Sequence, residues 1–411
     1  MSHGRRVLPR RLLIRDLAQV ATPAGHAAPL RGDELRRVDV LEDAFVLCDG
    51  RRISAVGRMR DLGPLEGEVE ELDARGLVAV PGLVDCHTHA CFAGDRVEEF
   101  ALRARGATYE ELHAAGGGIL STVRATRAAG EQALQNAVAR HKGWMLGQGT
   151  TTFEAKSGYG LDRETELASL RAIRSSGGIP TWLGAHAVPP EFDDAESYVD
   201  FALREVLPAA RGLAEAADVF VERGAFGAAT AGRYLAACKE AGLALRLHGD
   251  QFTEAGAVPL AIALGARSVD HLEATGPDGV RALAGSDVAA VVLPASALFL
   301  GRPQAPAREL VDAGAIVALA TDFNPGSAFC ESLPLVASLA ATQLRMALEE
   351  ILGALTVNAA HVLGRADRLG RLAPGFDADV VLLDAPDWRY LAYHLGGRVV
   401  RHVVLKGEQL A

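Results

Sequence analysis

The stretch Pro81-Gly82-Leu83-Val84-Asp85-Cys86-His87-Thr88-His89 is the most informative part of this 411-residue sequence. A largely apolar run, Leu77–Val84, leads directly into His-x-His. Successive side chains of a β-strand point to opposite faces, so His87 and His89 point the same way, about 7 Å apart along the strand. A strand that ends like this can offer two imidazoles to one metal ion.

The middle of the chain alternates short apolar runs with helical segments. Eight such runs are candidate strands: Leu77–Val84, Thr150–Glu154, Pro180–His186, Asp218–Glu222, Ala244–His248, Ser268–His271, Ala289–Leu293 and Ile316–Thr321. Most are rich in β-forming residues and lack polar alternation, as expected for parallel strands that are covered on both faces. Eight strand–helix repeats predict an α/β fold, a (β/α)₈ barrel like that of triosephosphate isomerase (TIM).

Both ends of the chain have a different character. Short alternating or apolar runs predict strands at Arg11–Ile14, Ala44–Leu47, Arg52–Val56, Val380–Leu383 and Val399–Leu405. Asp49-Gly50 and Lys406-Gly407 have the composition of turns. We therefore expect residues 1–77 and 365–411 to form one small β-domain, and residues 78–364 to form the barrel.

Two helix starts are marked by capping residues. Thr108 with Glu111 forms a capping box, and Asp162 can cap a helix that Gly177-Gly178 ends.

The composition excludes several classes of partner. The net charge of −10 argues against nucleic acid or an anionic membrane as a partner. The five cysteines are an odd number with no CxxC pair, which fits a reducing compartment. No apolar run reaches the ~18 residues of a membrane span. Arginines interrupt any apolar segment near the N-terminus, so we expect a cytoplasmic protein.

Chemically useful side chains stand where the predicted strands end. Active sites of such barrels lie at the carboxyl ends of the strands. These ends carry His87, His89, Glu154, His186, Glu222, His248, His271 and Asp322. Five of the twelve histidines fall at these ends, whereas chance would scatter them over loops and helices.

Imidazoles and a carboxylate around an open position suit Zn²⁺ or a similar divalent ion. We predict His87, His89, His248 and Asp322 as the ligands, with water completing the shell. Bound water would then lose a proton near neutral pH, and Asp322 can shuttle that proton. His271 is placed to hydrogen-bond the water or the developing oxyanion.

Several of these residues have a simpler interpretation. His186 and His271 can be structural, and Glu222 can pair with the adjacent Arg223. Arg96 suits a bidentate clamp on a substrate carboxylate, but it can equally form a salt bridge with Glu98 or Glu99. Strand alternation turns Cys86 away from the metal face and into the core.

Taken in order, these residues resemble the amidohydrolase superfamily. The shared pattern is Pro-Gly-Leu-Val-Asp-x-His-x-His, a His on strand five, a His on strand six and an Asp on strand eight. The resemblance implies a barrel plus a β-sandwich built from both chain ends. Members with two metals usually carry a carboxylated lysine on strand four. Here that strand ends in Glu222, and Lys156 follows strand two instead, so the resemblance implies one metal ion.

Longer motifs resemble one family of this superfamily, the imidazolonepropionases. They are Phe92-Ala-Gly-Asp-Arg96-Val-Glu-Glu-Phe100, Gly116-Gly-Gly-Ile-Leu-Ser-Thr-Val-Arg124, Glu154-Ala-Lys-Ser-Gly-Tyr159-Gly-Leu, Leu183-Gly-Ala-His186-Ala-Val-Pro-Pro, Leu247-His248-Gly-Asp-Gln251-Phe and Ala320-Thr-Asp322-Phe-Asn324-Pro-Gly326-Ser327. The resemblance implies hydrolytic ring opening of 4-imidazolone-5-propanoate to N-formimidoyl-L-glutamate in histidine degradation.

By motif, the resemblance assigns a role to each site residue. His87, His89, His248 and Asp322 would hold zinc or iron, divalent or trivalent, and His271 would assist catalysis. The substrate would be bound by Arg96, Tyr159 and His186, with Asn324, Gly326 and Ser327 lining the same pocket.

Gln251 departs from the pattern, because some members have Glu at this position. Glutamine can orient the ring but cannot act as a base, so the base would be Asp322 or His271. A homodimer is the default assembly. Two alternatives stay open at this point: another amidohydrolase, such as a deaminase that releases ammonia, and a non-catalytic barrel that serves as a scaffold.

Overall fold

Two sheets of eight strands each organise the chain in a computed structural model that describes residues 11–106 and 117–410. One sheet is wholly parallel and runs in sequence order through the middle of the chain. Its strands are Leu83–Asp85, Thr150–Lys156, Ile179–Ala185, Ala216–Val221, Ala244–Gly249, Ser268–His271, Ala289–Val292 and Val317–Leu319. Seven of the eight predicted runs match these strands closely, and the prediction of a (β/α)₈ barrel is confirmed.

The seam between the last and the first strand lies beside the predicted metal site. There the His89 amide donates to the Phe323 carbonyl at 2.9 Å, and the Asp322 amide donates to the His87 carbonyl at 3.1 Å. These two backbone bonds bring the segments after strands one and eight together, and both segments carry predicted ligands.

The predicted strand Leu77–Val84 is wrong as one element. Val78–Pro81 pairs with Arg11–Pro23 and with Val380–Leu383 in the other sheet, and only Leu83–Asp85 belongs to the barrel. The break falls at Gly82, where an added Cβ would lie 2.2 Å from Thr151 Oγ1. The chain thus passes from one sheet to the other through a position that has no room for a side chain.

The second sheet is mixed and joins both ends of the chain, as predicted. Its strands are Arg11–Pro23, Val38–Asp49, Arg52–Arg58, Val69–Asp73, Val78–Pro81, Val380–Leu383, Val400–Leu405 and Glu408–Leu410. The turn predicted at Asp49-Gly50 is present, with Asp49 opposite Arg52 and Gly50 at a φ of 55°. The division into domains at 1–77 with 365–411 and at 78–364 stays a prediction, and Val78–Pro81 lies in the sheet of the chain ends.

Helices connect the barrel strands and cover them. The α-helices are Gly32–Leu35, Val97–Ala104, Ile119–Gly147, Arg163–Ser175, Ala195–Phe201, Leu207–Ala210, Ala228–Glu240, Ala257–Leu264, Pro277–Ala284, Pro294–Leu300, Ala307–Asp312, Leu333–Thr342, Leu348–Gly353, Ala359–Val362 and Tyr390–Tyr393. Short 3₁₀ or π-helical turns occur at Met59–Asp61, Ala202–Val206 and Ala354–Asn358. Asp162 caps its helix as predicted by accepting the Thr165 amide at 2.7 Å, whereas the capping box at Thr108 and Glu111 lies outside the described residues.

The largest apolar cluster joins the barrel to one face of the second sheet. It contains Trp182 and Leu319 of the barrel together with Val381 of the second sheet, whereas Ile14 and Val380 belong to a smaller cluster on the other face of that sheet. Cys86 is fully buried among apolar side chains, as predicted. Among the described residues, no helix combines the length and the apolar character that crossing a membrane requires.

Candidate active site

The four predicted metal ligands meet at the carboxyl end of the barrel. The Nε2 atoms of His89 and His248 are 3.2 Å apart. Asp322 Oδ1 lies 3.5 Å from His87 Nε2 and 3.4 Å from His89 Nε2. All four side chains are buried, although they come from three strands that are distant in sequence.

These separations fit a metal ion. A tetrahedral zinc site with bonds of about 2.0–2.2 Å places neighbouring ligand atoms about 3.3–3.6 Å apart. The observed separations of 3.2, 3.4 and 3.5 Å match this spacing. Moreover, His87 Nε2 is buried and has no hydrogen-bond partner, a costly arrangement that a bound cation would relieve.

Two carboxylates behind the histidines fix the direction of the ligand nitrogens. Asp270 Oδ2 lies 2.5 Å from His87 Nδ1, and Asp218 Oδ1 lies 3.0 Å from His248 Nδ1. Each carboxylate can accept the Nδ1 proton, which leaves the Nε2 lone pair free to face the centre of the site. Carboxylate–histidine–metal chains of this kind orient the imidazole ring and increase its basicity.

The electrostatics of the site favour a cation at its centre. Burial lowers the pKa of His248 to about 3, although Asp218 opposes this shift. Burial and the Lys156 charge also disfavour a proton on His87, but Asp270 and Asp322 raise the His87 pKa to about 9. Burial opposes ionisation of Asp322, yet its contacts with His87 and His89 hold the Asp322 pKa well below its usual range.

His271 lies at the edge of the same cluster. Its ring centroid is 5.7 Å from that of His87 and 5.3 Å from that of His248. His271 and Leu272 both have a positive φ, 82° and 73°, which is unusual for residues with side chains. Such backbone strain concentrates at functional sites. Glu273 Oε1 lies 3.5 Å from His271 Nδ1, so this imidazole also has a buried carboxylate beside it.

Tyr159 and His186 form one wall of the site. The His186 ring stacks on His89 with centroids 5.2 Å apart, and its centroid is 5.3 Å from that of Tyr159. Burial first, and then the neighbouring histidines, lower the pKa of His186 well below its usual value. A neutral His186 donates from Nδ1 to the Gly158 carbonyl at 3.0 Å and keeps Nε2 as an acceptor.

Arg96 is engaged in the salt bridge that the sequence offered as an alternative. Its Nε and Nη2 donate to Glu99 at 2.8 and 2.5 Å, and Glu99 also accepts the Gly118 amide at 2.8 Å. The guanidinium lies flat against Gly326, where an added Cβ would be 1.9 Å from Arg96 Nη1. The structure thus brings Arg96 and Gly326 together and explains why a glycine stands there.

Asn324 organises the loop after strand eight. Its Oδ1 accepts the amides of Gly326 and Ser327 at 2.8 and 2.7 Å, and its Nδ2 donates to the Asp322 carbonyl and to Ser327 Oγ. The side-chain amide is therefore used within the loop itself. Ser327 Oγ lies 3.4 Å from Asp322 Oδ2, so the loop also contacts the carboxylate of a predicted ligand.

Glu222 has a different role from the pairing that sequence reasoning suggested. Its carboxylate accepts the backbone amide of Arg223 at 2.8 Å, and it accepts the amides of Phe252 and Thr253 at 2.8 and 3.1 Å. These bonds fix the loop that begins with Gln251, two residues after the end of strand five. Glu222 therefore anchors the segment that directly follows Gln251.

Sequence reasoning missed a buried ionic network beneath the ligands. Its members are Glu154, Lys156, Asp218, Arg246 and Asp270, all almost inaccessible to solvent. One signal was available in the sequence. An ionisable residue inside a strand that is otherwise apolar is rarely buried unless it is paired, and several of the predicted barrel strands carry one.

Comparison with known proteins assigns the chain to a class. The model of the amidohydrolase family matches residues 78–410, so the chain belongs to the amidohydrolase family. The fold agrees: a triazine hydrolase variant of known structure superposes with a TM-score of 0.71 at 21% identity, covering 98% of this chain and 95% of the other.

Curated relatives narrow the class to one family. The imidazolonepropionase of Rubrobacter xylanophilus is 60% identical over 97% of this chain and 98% of its own length. The imidazolonepropionase of Chloroflexus aggregans is 46% identical over 97% of this chain and 98% of its own length. Within the amidohydrolases, the chain is a member of the imidazolonepropionase family.

Proposed function

We propose that this chain hydrolyses the cyclic amide bond of 4-imidazolone-5-propanoate and releases N-formimidoyl-L-glutamate, a step of histidine degradation. The proposal rests on three imidazoles and one carboxylate whose neighbouring ligand atoms lie 3.2 to 3.5 Å apart, in a chain that is 60% identical to an imidazolonepropionase. Water adds to the ring carbonyl, which becomes a carboxylate. The ring nitrogen departs with a proton as part of the formimidoyl group.

His87, His89, His248 and Asp322 are the residues that would hold the metal. A divalent ion at this point supplies Lewis-acid polarisation and makes water a better nucleophile at neutral pH. Asp270 and Asp218 keep two of the imidazoles in the tautomer that presents Nε2 to the centre. The protein therefore contributes a ligand set that is oriented before the ion arrives.

We assign proton transfer to acidic and basic side chains of the protein. Asp322 Oδ2 is turned toward Ser327, and Oδ1 faces the centre of the site. This carboxylate is the candidate general base for the attacking water, because Gln251 cannot accept a proton. His271, with Glu273 beside it, is the candidate partner for the carbonyl oxygen or the departing nitrogen.

Substrate binding would use the wall and the loops around this centre. Tyr159 and the neutral His186 offer a hydroxyl and a ring nitrogen to the heterocycle. Arg96 would bind the propionate, with its guanidinium oriented by Glu99 and Gly326. Gln251, Asn324 and Ser327 would complete the pocket.

We propose zinc or ferrous iron as the divalent ion, because imidazole nitrogens and a carboxylate oxygen suit both metals.

We further propose that the enzyme acts in the cytoplasm as a homodimer. The cytoplasmic assignment rests on five free thiols, four of them buried. The dimer rests on the default symmetry of soluble oligomers alone.

The proposed reaction can be tested with imidazolone propionate as substrate. Product should appear as N-formimidoyl-L-glutamate, with no ammonia released. Ammonia in step with substrate loss would indicate a deaminase, and an inert, metal-free protein would indicate a scaffold. As a matched pair, His248→Ala should lose metal and turnover, whereas Arg96→Ala should keep metal and bind substrate poorly.

A further inference from the structure

Lys156 occupies a central position under the predicted metal site. Its ammonium is fully buried and lies 2.9 Å from both Glu154 Oε1 and Asp218 Oδ2. Only four of the 42 basic residues in the chain are lysines, so a lysine at this buried position is notable. A compact ammonium can sit between two carboxylates where a planar guanidinium would need more room.

Each of the two carboxylates also forms a hydrogen bond with a different part of the predicted ligand set. Asp218 uses its other oxygen, Oδ1, to hold His248 Nδ1 at 3.0 Å. Glu154 uses its other oxygen, Oε2, to accept the backbone amide of Thr88 at 3.1 Å, and Thr88 lies between His87 and His89. The Lys156 amide also donates to the Thr88 carbonyl at 2.9 Å.

We propose that Lys156 is a positioning residue that joins the His87–His89 segment to His248 and so sets the geometry of the metal centre. This inference rests on the ligand set given under the proposed function. The ammonium donates a hydrogen bond to Glu154 Oε1 and forms an ion pair with Asp218 Oδ2, which leaves the other oxygen of each carboxylate to Thr88 and to His248. Ligands from strand one and strand five are thereby held in one arrangement before metal binds.

Burial does not neutralise this lysine. Burial alone would lower the pKa of Lys156, but Asp218 and Glu154 together raise it above its usual value. Without the ammonium, Glu154 would keep only the more distant Arg246 at 3.7 Å, and Asp218 would lose the cation beside its Oδ2 atom and be free to turn away from His248. Loss of Lys156 should therefore affect metal affinity before it affects any contact with substrate.

The test compares zinc binding by the full-length wild type, Lys156→Met and Lys142→Met. The control removes a lysine that donates to the Ser176 carbonyl, just before the strand Ile179–Ala185 and so at the amino end of the barrel strands, opposite the predicted ligands. Zinc bound per chain is measured against graded chelator. Removal of an outer partner of a ligand weakens metal binding about 10- to 100-fold. We expect that loss for Lys156→Met and a change below about twofold for Lys142→Met.

A second readout separates positioning from general stability. With Co²⁺ in place of zinc, the visible absorption of Lys156→Met should differ from that of the wild type, because the ligand geometry has relaxed. Lys142→Met should keep the wild-type spectrum. Wild-type zinc affinity together with an unchanged Co²⁺ spectrum in folded Lys156→Met would overturn the proposal.

Lys156→Met removes the nearest cation from two buried carboxylates, so it can fail to fold. In that case the charge-balanced double variant Lys156→Met with Glu154→Gln decides the question. We expect it to bind zinc more weakly than Glu154→Gln alone, and equal affinity would overturn the proposal. A wild type that takes up no zinc, iron or cobalt would instead overturn the proposed function itself, a result that the variants cannot mimic.

Discussion

Gly326→Ala tests whether Arg96 is held where a substrate carboxylate needs it. The new Cβ would lie 1.9 Å from Arg96 Nη1 and 2.7 Å from Cζ. Nonbonded heavy atoms need about 3.5 Å, so the guanidinium must withdraw by about 1.5 Å. The backbone of Gly326 does not have a positive φ, and the substitution therefore acts through space alone.

The size of the effect follows from this displacement. A misplacement of about 1 Å in a binding group can cost up to about 100-fold in rate. We expect kcat/KM for imidazolone propionate to fall about 10- to 100-fold, equivalent to about 1.4–2.7 kcal/mol. Most of the loss should appear in KM, because Arg96 contacts none of the predicted metal ligands.

Steady-state kinetics with a matched glycine variant provide the assay. Gly143→Ala adds the same methyl group in a helix where no atom lies within 4 Å of the new Cβ, and its kinetics should equal those of the wild type. Both variants should bind as much metal as the wild type. A KM within about twofold of wild type in Gly326→Ala would refute the assigned position and role of Arg96.

Three further predictions follow from other contacts. His248→Ala should abolish stoichiometric metal binding, measured by elemental analysis, and a variant that keeps its metal would remove His248 from the ligand set. Glu222→Gln turns an amide group toward the backbone donors of Phe252 and Thr253. We expect kcat to fall about tenfold while the metal is retained, and an unchanged kcat would show that the loop beginning at Gln251 does not need this anchor. Asp379→Asn should remove a pH dependence of stability, because burial raises the pKa of Asp379 to about 6 and the folded state favours the neutral acid. The stability of the wild type relative to the variant should therefore fall by up to about 3 kcal/mol as pH rises from about 4 to 6, and it should stay low at higher pH. Urea unfolding at several pH values measures this difference, and parallel curves would contradict it.

The barrel was predictable because its strands are mostly apolar, lack polar alternation and end in ligand-type residues. Ser268–His271 is predicted without error, and most other strands are displaced by one or two residues at their ends. The exception is the run around Gly82, where one continuous apolar sequence forms two strands that belong to different sheets. Periodicity cannot reveal such a crossing, because both strands are buried and equally hydrophobic.

The candidate site was predictable only where residue type and strand position coincide. Histidines at strand ends stand out, whereas Asp218 and Asp270 lie within strands and support ligands from neighbouring strands. Which carboxylate faces which imidazole depends on barrel register, which a single sequence does not specify. The same limit applies to Arg96, since its choice between Glu99 and substrate depends on the loop geometry near Gly326.

We propose above that three histidines and Asp322 hold one catalytic divalent ion, and this proposal can be tested directly. The most direct measurement is metal content and turnover of imidazolone propionate in the same preparation, before and after exhaustive chelation. We expect one ion per chain, loss of turnover in proportion to its removal, and recovery when zinc or ferrous iron is restored. Full turnover by protein that contains no metal would contradict it.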